Sequence, residues 1–149
     1  MSTTYAQGPA AGTLRTSGIA SASVQTTKAY LGSAIDNATN LDAFADIEIV
    51  YSYGVSPTAS KSLSVHLLYA PDGTNYEEGA GDGTTVTAPV AGSTVRVLTP
   101  LADTSTHRKL IVGVPIPPCK FKVLIYNVDT GQTATVTANI YTRKDQTVG

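Results

Sequence analysis

The 149-residue sequence has no tryptophan, and charged side chains are scarce in it. Lys, Arg, Asp and Glu make up 14% of the chain, against about 25% in typical soluble domains. The net charge is −1, and the basic residues are scattered rather than gathered into a tract. The chain therefore lacks the electrostatic footprint of a nucleic-acid-binding protein, and no nucleic-acid partner is predicted.

Cysteine is nearly absent, since Cys119 is the only one. A single cysteine excludes an intramolecular disulfide and a metal knuckle built on cysteine pairs. The sequence shows no secretory signal near its start and no stretch approaching the roughly 20 apolar residues of a membrane span. We expect the chain to be made in the cytoplasm and to have no membrane partner.

Motifs that carry chemistry are also missing. His66 and His107 lie far apart in the sequence. We expect His66 on the surface or in an interface, and His107 without a local carboxylate. A Ser-His-Asp arrangement built from distant residues stays open, but no nucleophile elbow, phosphate loop or metal-ligand spacing is visible. The interpretation is a non-enzymatic protein with no catalytic residue, no metal and no cofactor.

The first 27 residues are rich in Ser, Thr, Ala and Gly and follow no regular hydrophobic period. Such a segment buries too little apolar surface to offset its ordering entropy. We therefore divide the chain into a flexible or extended N-terminal arm over residues 1–27 and a folded domain over residues 28–149. If the arm orders on a neighbouring subunit, its anchors are predicted to be Tyr5, Leu14 and Ile19.

Short segments of alternating apolar and polar residues fill the rest of the chain, with turn residues between them. The clearest runs from Asp46 to Tyr53, where Ile47, Ile49 and the two tyrosines share one face. Seven or eight such segments at about ten-residue spacing predict an all-β, jelly-roll-like β-sandwich. They include residues 29–35, 46–53, 62–69, 84–87, 94–98, 108–114, 120–127 and 133–143.

The longest segment without a regular pattern spans residues 71–93 and holds Asp72, Glu77, Glu78 and Asp82. Carboxylates in a Gly-rich loop can bind Ca²⁺, but the spacing is not that of an EF-hand, and a solvated acidic loop is favoured. Tyr76 in this loop has two interpretations. It covers the edge of the sandwich, or it belongs to a site for a sugar or receptor.

Three stretches resemble small virion-associated structural proteins of tailed bacteriophages. They are YGVSPTA at Tyr53–Ala59, LLYAPDGTNY at Leu67–Tyr76 and VGVPIPPCKFK at Val112–Lys122. These motifs consist of turn residues and strand ends, so the resemblance describes architecture better than role. It implies a virion component without catalysis, in particular a capsid decoration (cement) protein. Such a protein often forms a homotrimer, lies on the capsid surface and clamps major capsid proteins from outside.

The predicted function is therefore a bacteriophage structural protein that stabilises the shell by binding between major capsid proteins. The alternative is a carbohydrate- or receptor-binding module of a tail or fibre, with Tyr76 in its site. The lack of tryptophan counts against a sugar-binding site, because sugar faces usually stack on aromatic rings.

Overall fold

The computed structural model describes residues 13–58, 61–77, 83–85, 93–128 and 130–143, with the backbone alone for residues 13–17 and 93. This part of the chain contains nine strands and no helix. The strands are β1 (Thr13–Val24), β2 (Ala29–Leu31), β3 (Ile35–Asp36), β4 (Phe44–Tyr53), β5 (Ser62–Ala70), β6 (Ser93–Leu98), β7 (His107–Pro115), β8 (Lys120–Val128) and β9 (Ala134–Arg143).

The strands form two antiparallel sheets. Sheet A has the order β1-β9-β4-β7, and sheet B has the order β2-β8-β5-β6 with β3 also paired to β8. Each sheet interleaves strands from the two halves of the chain, which is the strand order of a jelly roll built from two Greek keys. The predicted all-β, jelly-roll-like sandwich is confirmed.

The core lies between the sheets and follows the alternation seen in the sequence. On β4, the side chains of Ile47, Ile49, Tyr51 and Tyr53 are buried against sheet B, as predicted. They meet inward residues of β5 and β8 such as Leu67. Each fully buried aliphatic side chain contributes about 1.5–3 kcal/mol, so this layer supplies much of the stability.

The predicted strand over residues 29–35 is divided in two. Gly32 lies between β2 and β3, and its N–H donates to the Val123 carbonyl (2.8 Å). A Cβ at this position would lie 2.8 Å from the Gly18 carbonyl oxygen, so the close approach requires glycine. Of the predicted strand at 84–87, Thr84 and Thr85 are not in a strand, and residues 86–87 lie outside the described residues.

The predicted arm over residues 1–27 is wrong for residues 13–24. They form β1, which pairs with β9 of the same chain from Thr13↔Thr142 to Val24↔Ala134. Register shifts interrupt the pairing on both sides of Ile19, so the inward side chains of β1 do not occur at every second residue. Burial against the core supplies the ordering free energy that the isolated segment lacks.

Candidate interaction surface

One side of the sandwich is closed by hydrogen bonds between the two sheets. Ser33 N–H donates to the Gly18 carbonyl (3.2 Å), which joins the β2–β3 connection to β1. Gly83 bridges the same side, since its carbonyl accepts from Gln25 N–H and its N–H donates to Ala29, both at 2.8 Å. Gly83 has φ +85° and lies against the Ser23 carbonyl. We call this side, formed by β1, β2 and β3, the sealed side.

The opposite side is formed by the edge strands β6 and β7 and by their connector. Each of these strands pairs with one neighbour, β6 with β5 and β7 with β4. We call it the open side. It carries four apolar side chains with high exposed fractions: Val97 55%, Leu101 55%, Leu110 60% and Val112 62%. Leu110 and Val112 are two residues apart on β7 and lie on one face of the strand, so they form adjacent apolar surface.

The open side also carries basic residues at positions that face the core. Arg96 on β6 pairs with Val65, and Lys109 on β7 pairs with Ile49, and both partners are fully buried. Paired residues share a face of the sheet, so both basic side chains extend from the core-facing side of an edge strand and are exposed. Inward-pointing charges on edge strands prevent the addition of a further strand.

A third basic residue, Arg108, is already paired. Its Nη1 lies 2.8 Å from Glu48 Oε1, and Asn139 Nδ2 donates to the other carboxylate oxygen at 2.7 Å. Within the described part of the chain, neither Arg96 nor Lys109 has such a carboxylate partner. The uncompensated positive charge of the open side therefore rests on these two residues.

His107 begins β7 and is held by a local carboxylate, contrary to the prediction. Asp103 Oδ1 lies 2.8 Å from His107 Nε2 in the connector that precedes the strand. The imidazole also packs against Tyr51, with ring centroids 5.4 Å apart. The hydrogen bond from His107 and a second one from Ser105 N–H lower the pKa of Asp103. The pair fixes the shape of the connector on the open side.

His66 is also placed differently from the prediction. It points away from the core between the sheets, as expected, but it is buried rather than exposed. Its Nε2 lies 2.8 Å from Ser64 Oγ, and its Nδ1 lies 3.2 Å from Thr94 Oγ1. Leu68 and Leu124 on the same outer face of sheet B are fully buried as well. Ser64 and His66 are only 6% and 7% exposed, so the pair lies below the surface of this outer face.

Of the four residues predicted to bind partners, Ile19 and Tyr76 have described side chains, and these two do not lie in one site. Tyr5 lies outside the described residues. Leu14 pairs through its backbone with Tyr141, and its side chain is outside the description. Ile19 is 2% exposed in the core of its own chain, so it cannot anchor a neighbour while the fold is intact. Tyr76 lies on the outer face of sheet B, with Lys122 Nζ 4.3 Å from its ring centroid.

The sequence interpretation missed the open side itself. A local signal exists in the segment from Arg108 to Val112, where Leu110, Ile111 and Val112 are consecutive and apolar residues occupy both faces of a strand. That pattern is typical of a strand with both faces covered, but β7 is an edge strand. The exposed face follows from the topology, which the sequence does not show.

The described residues show neither a metal-binding cluster nor a membrane-spanning helix. They contain no group of three or more His, Cys, Asp or Glu side chains that could hold a metal ion. No helix there is long and apolar enough to cross a membrane. Burial raises the pKa of the Cys119 thiol, which disfavours the reactive thiolate.

No protein-family model matches the chain, and no curated protein matches it. Its fold is similar to a chain in a structure of infectious bursal disease virus, Gt strain, at 12% identity and a TM-score of 0.49 over 95% of this chain. A chain from the Gx strain matches 92% of this chain at 14% identity and a TM-score of 0.47. The chain spans about a third of their lengths, 36% and 35%. This degree of similarity carries no inference about role, and the resemblance to tailed-phage proteins stays a prediction.

Proposed function

We propose that this chain is a non-enzymatic structural protein of a virion, and specifically a decoration protein that binds between the major capsid proteins of a phage shell. The observation that carries the proposal is the open side of the sandwich. Adjacent exposed apolar side chains on a soluble protein mark a contact surface, and Leu110 and Val112 are both at least 60% exposed. We propose that this surface contacts a neighbouring protein on the shell.

The composition supports a role in close assembly. Interface cores are depleted in charged residues, and charged residues are only 14% of this chain. The sequence resemblance to virion-associated proteins also supports a structural role, because its motifs form turns and strand ends and contain no catalytic groups.

A carbohydrate site around Tyr76 receives less support. A sugar would stack on a free aromatic face, but Lys122 covers one face of this ring at cation–π distance (4.3 Å). The side chain is also half-buried. Tyr76 therefore packs back on the sandwich, but over Lys122 on the outer face of sheet B and not at the edge that the sequence interpretation named.

Binding to the shell tests the proposal. The probe is a shell assembled from the major capsid protein of the virus that encodes this chain. The wild-type protein is expected to bind and to raise the melting temperature of the shell. Val112→Ser is expected to weaken binding about tenfold, a loss of about 1.4 kcal/mol.

Val55→Ser is the matched control, because Val55 and Val112 have nearly equal exposed fractions, 61% and 62%, but Val55 lies in the turn after β4 and not on β7. Equal binding by the two variants would place the contact elsewhere on the sandwich. A wild-type protein that neither binds the shell nor changes its melting temperature would contradict the decoration role itself.

A further inference from the structure

Charge is divided unequally between two neighbouring segments of the chain. Residues 71–92 contain four carboxylates, Asp72, Glu77, Glu78 and Asp82, and no Lys or Arg. Residues 93–115, which include β6 and β7, contain three basic residues and one carboxylate, Asp103. Asp103 is hydrogen-bonded to His107. The acidic segment follows β5 directly, and we call residues 71–77 the acidic loop, since the structure describes them.

The acidic loop and the basic residues lie on different parts of the molecule. Ala70, just before the loop, pairs with Lys120 at the start of β8. The connector that leads into β8 begins at Pro115, the last residue of β7, which pairs with Phe44. The loop therefore lies at the Pro115 end of the sandwich. Lys109 lies near the opposite end of β7, two residues from the pair of Tyr51 and His107. Asp72 and Glu77 are both exposed. Lys120 and Lys122 of β8 adjoin the loop, so one copy presents positive charge on the open side and a mixed surface with two exposed carboxylates at the far end of sheet B.

Two open sides cannot readily meet face to face. Arg96 and Lys109 would approach the same residues of the other copy, and like charges across an interface oppose association. Their core-facing positions also oppose strand addition at either edge. A protein that covers this side must supply carboxylates and contact it through side chains.

We propose that the open side of one copy binds the acidic loop of a second copy, head to tail. Arg96 and Lys109 face Asp72 and Glu77, and Leu110 and Val112 form the apolar part of the contact. Because the two surfaces differ, the interface is heterologous, and it either closes into a ring or continues as a chain of copies. The predicted trimer corresponds to closure after three copies. The inference rests on the proposed function in one respect: it names the neighbour that the open side contacts on the shell.

A charge-swap series measured by sedimentation equilibrium of the purified full chain tests the interface. Arg96→Glu with Lys109→Glu removes the positive side, and Asp72→Lys with Glu77→Lys removes the negative side. Each double variant is expected to weaken self-association at least tenfold. The quadruple variant is expected to restore it, because the charges are exchanged between the same two surfaces. Its net charge is also the wild-type value of −1, since each pair of reversals shifts the charge by four in opposite directions.

Lys28→Glu is the control, because Lys28 lies on the sealed side next to β2. This single variant is compared with the single variant Lys109→Glu. Lys28→Glu is expected to leave association unchanged, whereas Lys109→Glu is expected to weaken it. Circular dichroism and melting temperature verify that every variant is folded. A wild-type protein that stays monomeric at millimolar concentration overturns the inference, and so does a folded quadruple variant that fails to associate.

The same variants separate this inference from the proposed function. If the protein is monomeric but binds shells through Val112, the open side contacts the major capsid protein, and the decoration role stands without this interface. If it associates as expected but does not bind shells, the interface stands and the decoration role fails.

Discussion

The backbone N–H of Gly113 on β7 donates a 2.7 Å hydrogen bond to Asp46 Oδ1 on β4. Gly113 has φ +69°, and the pairing of the two strands shifts between Ala45 and Ile47. These are the features of a β-bulge at an edge strand, which twists the edge and blunts it against pairing. The Asp46 carboxylate also contacts Arg143 Nε at 3.4 Å, so one side chain ties the bulge to β9.

The bulge requires glycine for its backbone conformation rather than for space. A Cβ on Gly113 would meet only Arg143 Nη2, at an ordinary contact distance of 3.6 Å. Gly113→Ala is therefore expected to lower the free energy of unfolding by about 1–2 kcal/mol through left-handed backbone strain, measured by urea denaturation. Gly54→Ala is the control, because a Cβ there has no atom within 4 Å and the expected change is within about 0.5 kcal/mol. Equal effects at the two positions would show that β7 relaxes around the new side chain.

Ile19 distinguishes a strand of the fold from a detachable arm. Its side chain is 2% exposed in the core, so Ile19→Ala is expected to cost about 2–5 kcal/mol through lost burial and the cavity left behind. Ser21→Ala, at an exposed position of β1, is the control and is expected to change little. Chemical denaturation of the free protein measures both. If Ile19→Ala leaves the unfolding midpoint unchanged, β1 is not part of the cooperative fold.

The sequence predicted those strands whose inward residues alternate strictly, such as β4 with Ile47 and Ile49. It did not predict β1, because its buried residues Ile19, Ala22 and Val24 are spaced by three and then two positions. The register shifts cause that spacing, and they arise from pairing with β9, more than 100 residues away. A local pattern contains no information about a bulge that is set by a distant strand.

The candidate surface shows the same limit. Leu110 and the core-facing Lys109 are both exposed because β7 lies at the edge of sheet A. Strand order is set by long-range pairing, and the sequence left it open. The burial of His66 was missed for a related reason, since the alternation on β5 correctly assigned its face but not what covers that face.

Two buried polar groups in the described part of the chain have opposite hydrogen-bonding states. The Tyr51 hydroxyl is buried without a hydrogen-bond partner there, whereas the Asn127 amide donates to the carbonyls of Val24 (2.9 Å) and Gln132 (2.8 Å). Removing an unpaired buried hydroxyl relieves a desolvation cost, so Tyr51→Phe is expected to be neutral or stabilising by up to about 1 kcal/mol. Asn127→Ala removes a donor from the buried Val24 carbonyl, whereas the Thr130 hydroxyl, which donates to Asn127 Oδ1, can turn to the Gln132 carbonyl 2.8 Å away. A loss of about 1–3 kcal/mol is therefore expected for the one carbonyl left unpaired. Urea denaturation compares the two. A loss of stability in Tyr51→Phe would reveal a partner, such as a buried water, at the tyrosine hydroxyl.

The Asp103–His107 pair predicts how the connector on the open side responds to acid. A carboxylate only accepts, so His107 Nε2 carries the hydrogen in their 2.8 Å contact. This bond is the largest cause that lowers the pKa of Asp103 from its ordinary value of 3.8. Because the folded-state pKa lies below the unfolded one, the stabilisation is complete above the ordinary value and is lost as the pH falls through the folded-state pKa. The melting temperature of the wild-type protein should exceed that of Asp103→Asn near neutral pH, and the difference should shrink below about pH 4.

Titration of the Asp103 carboxyl carbon by NMR checks the cause directly. Its midpoint is expected below 3.8 in the wild-type protein and closer to that value in His107→Phe, which keeps an aromatic ring against Tyr51 but cannot donate. An unchanged midpoint in that variant would assign the lowered pKa to the Ser105 N–H, which donates to the same oxygen at 2.8 Å. In that case the connector would keep its shape without His107, and the acid sensitivity would belong to the turn alone.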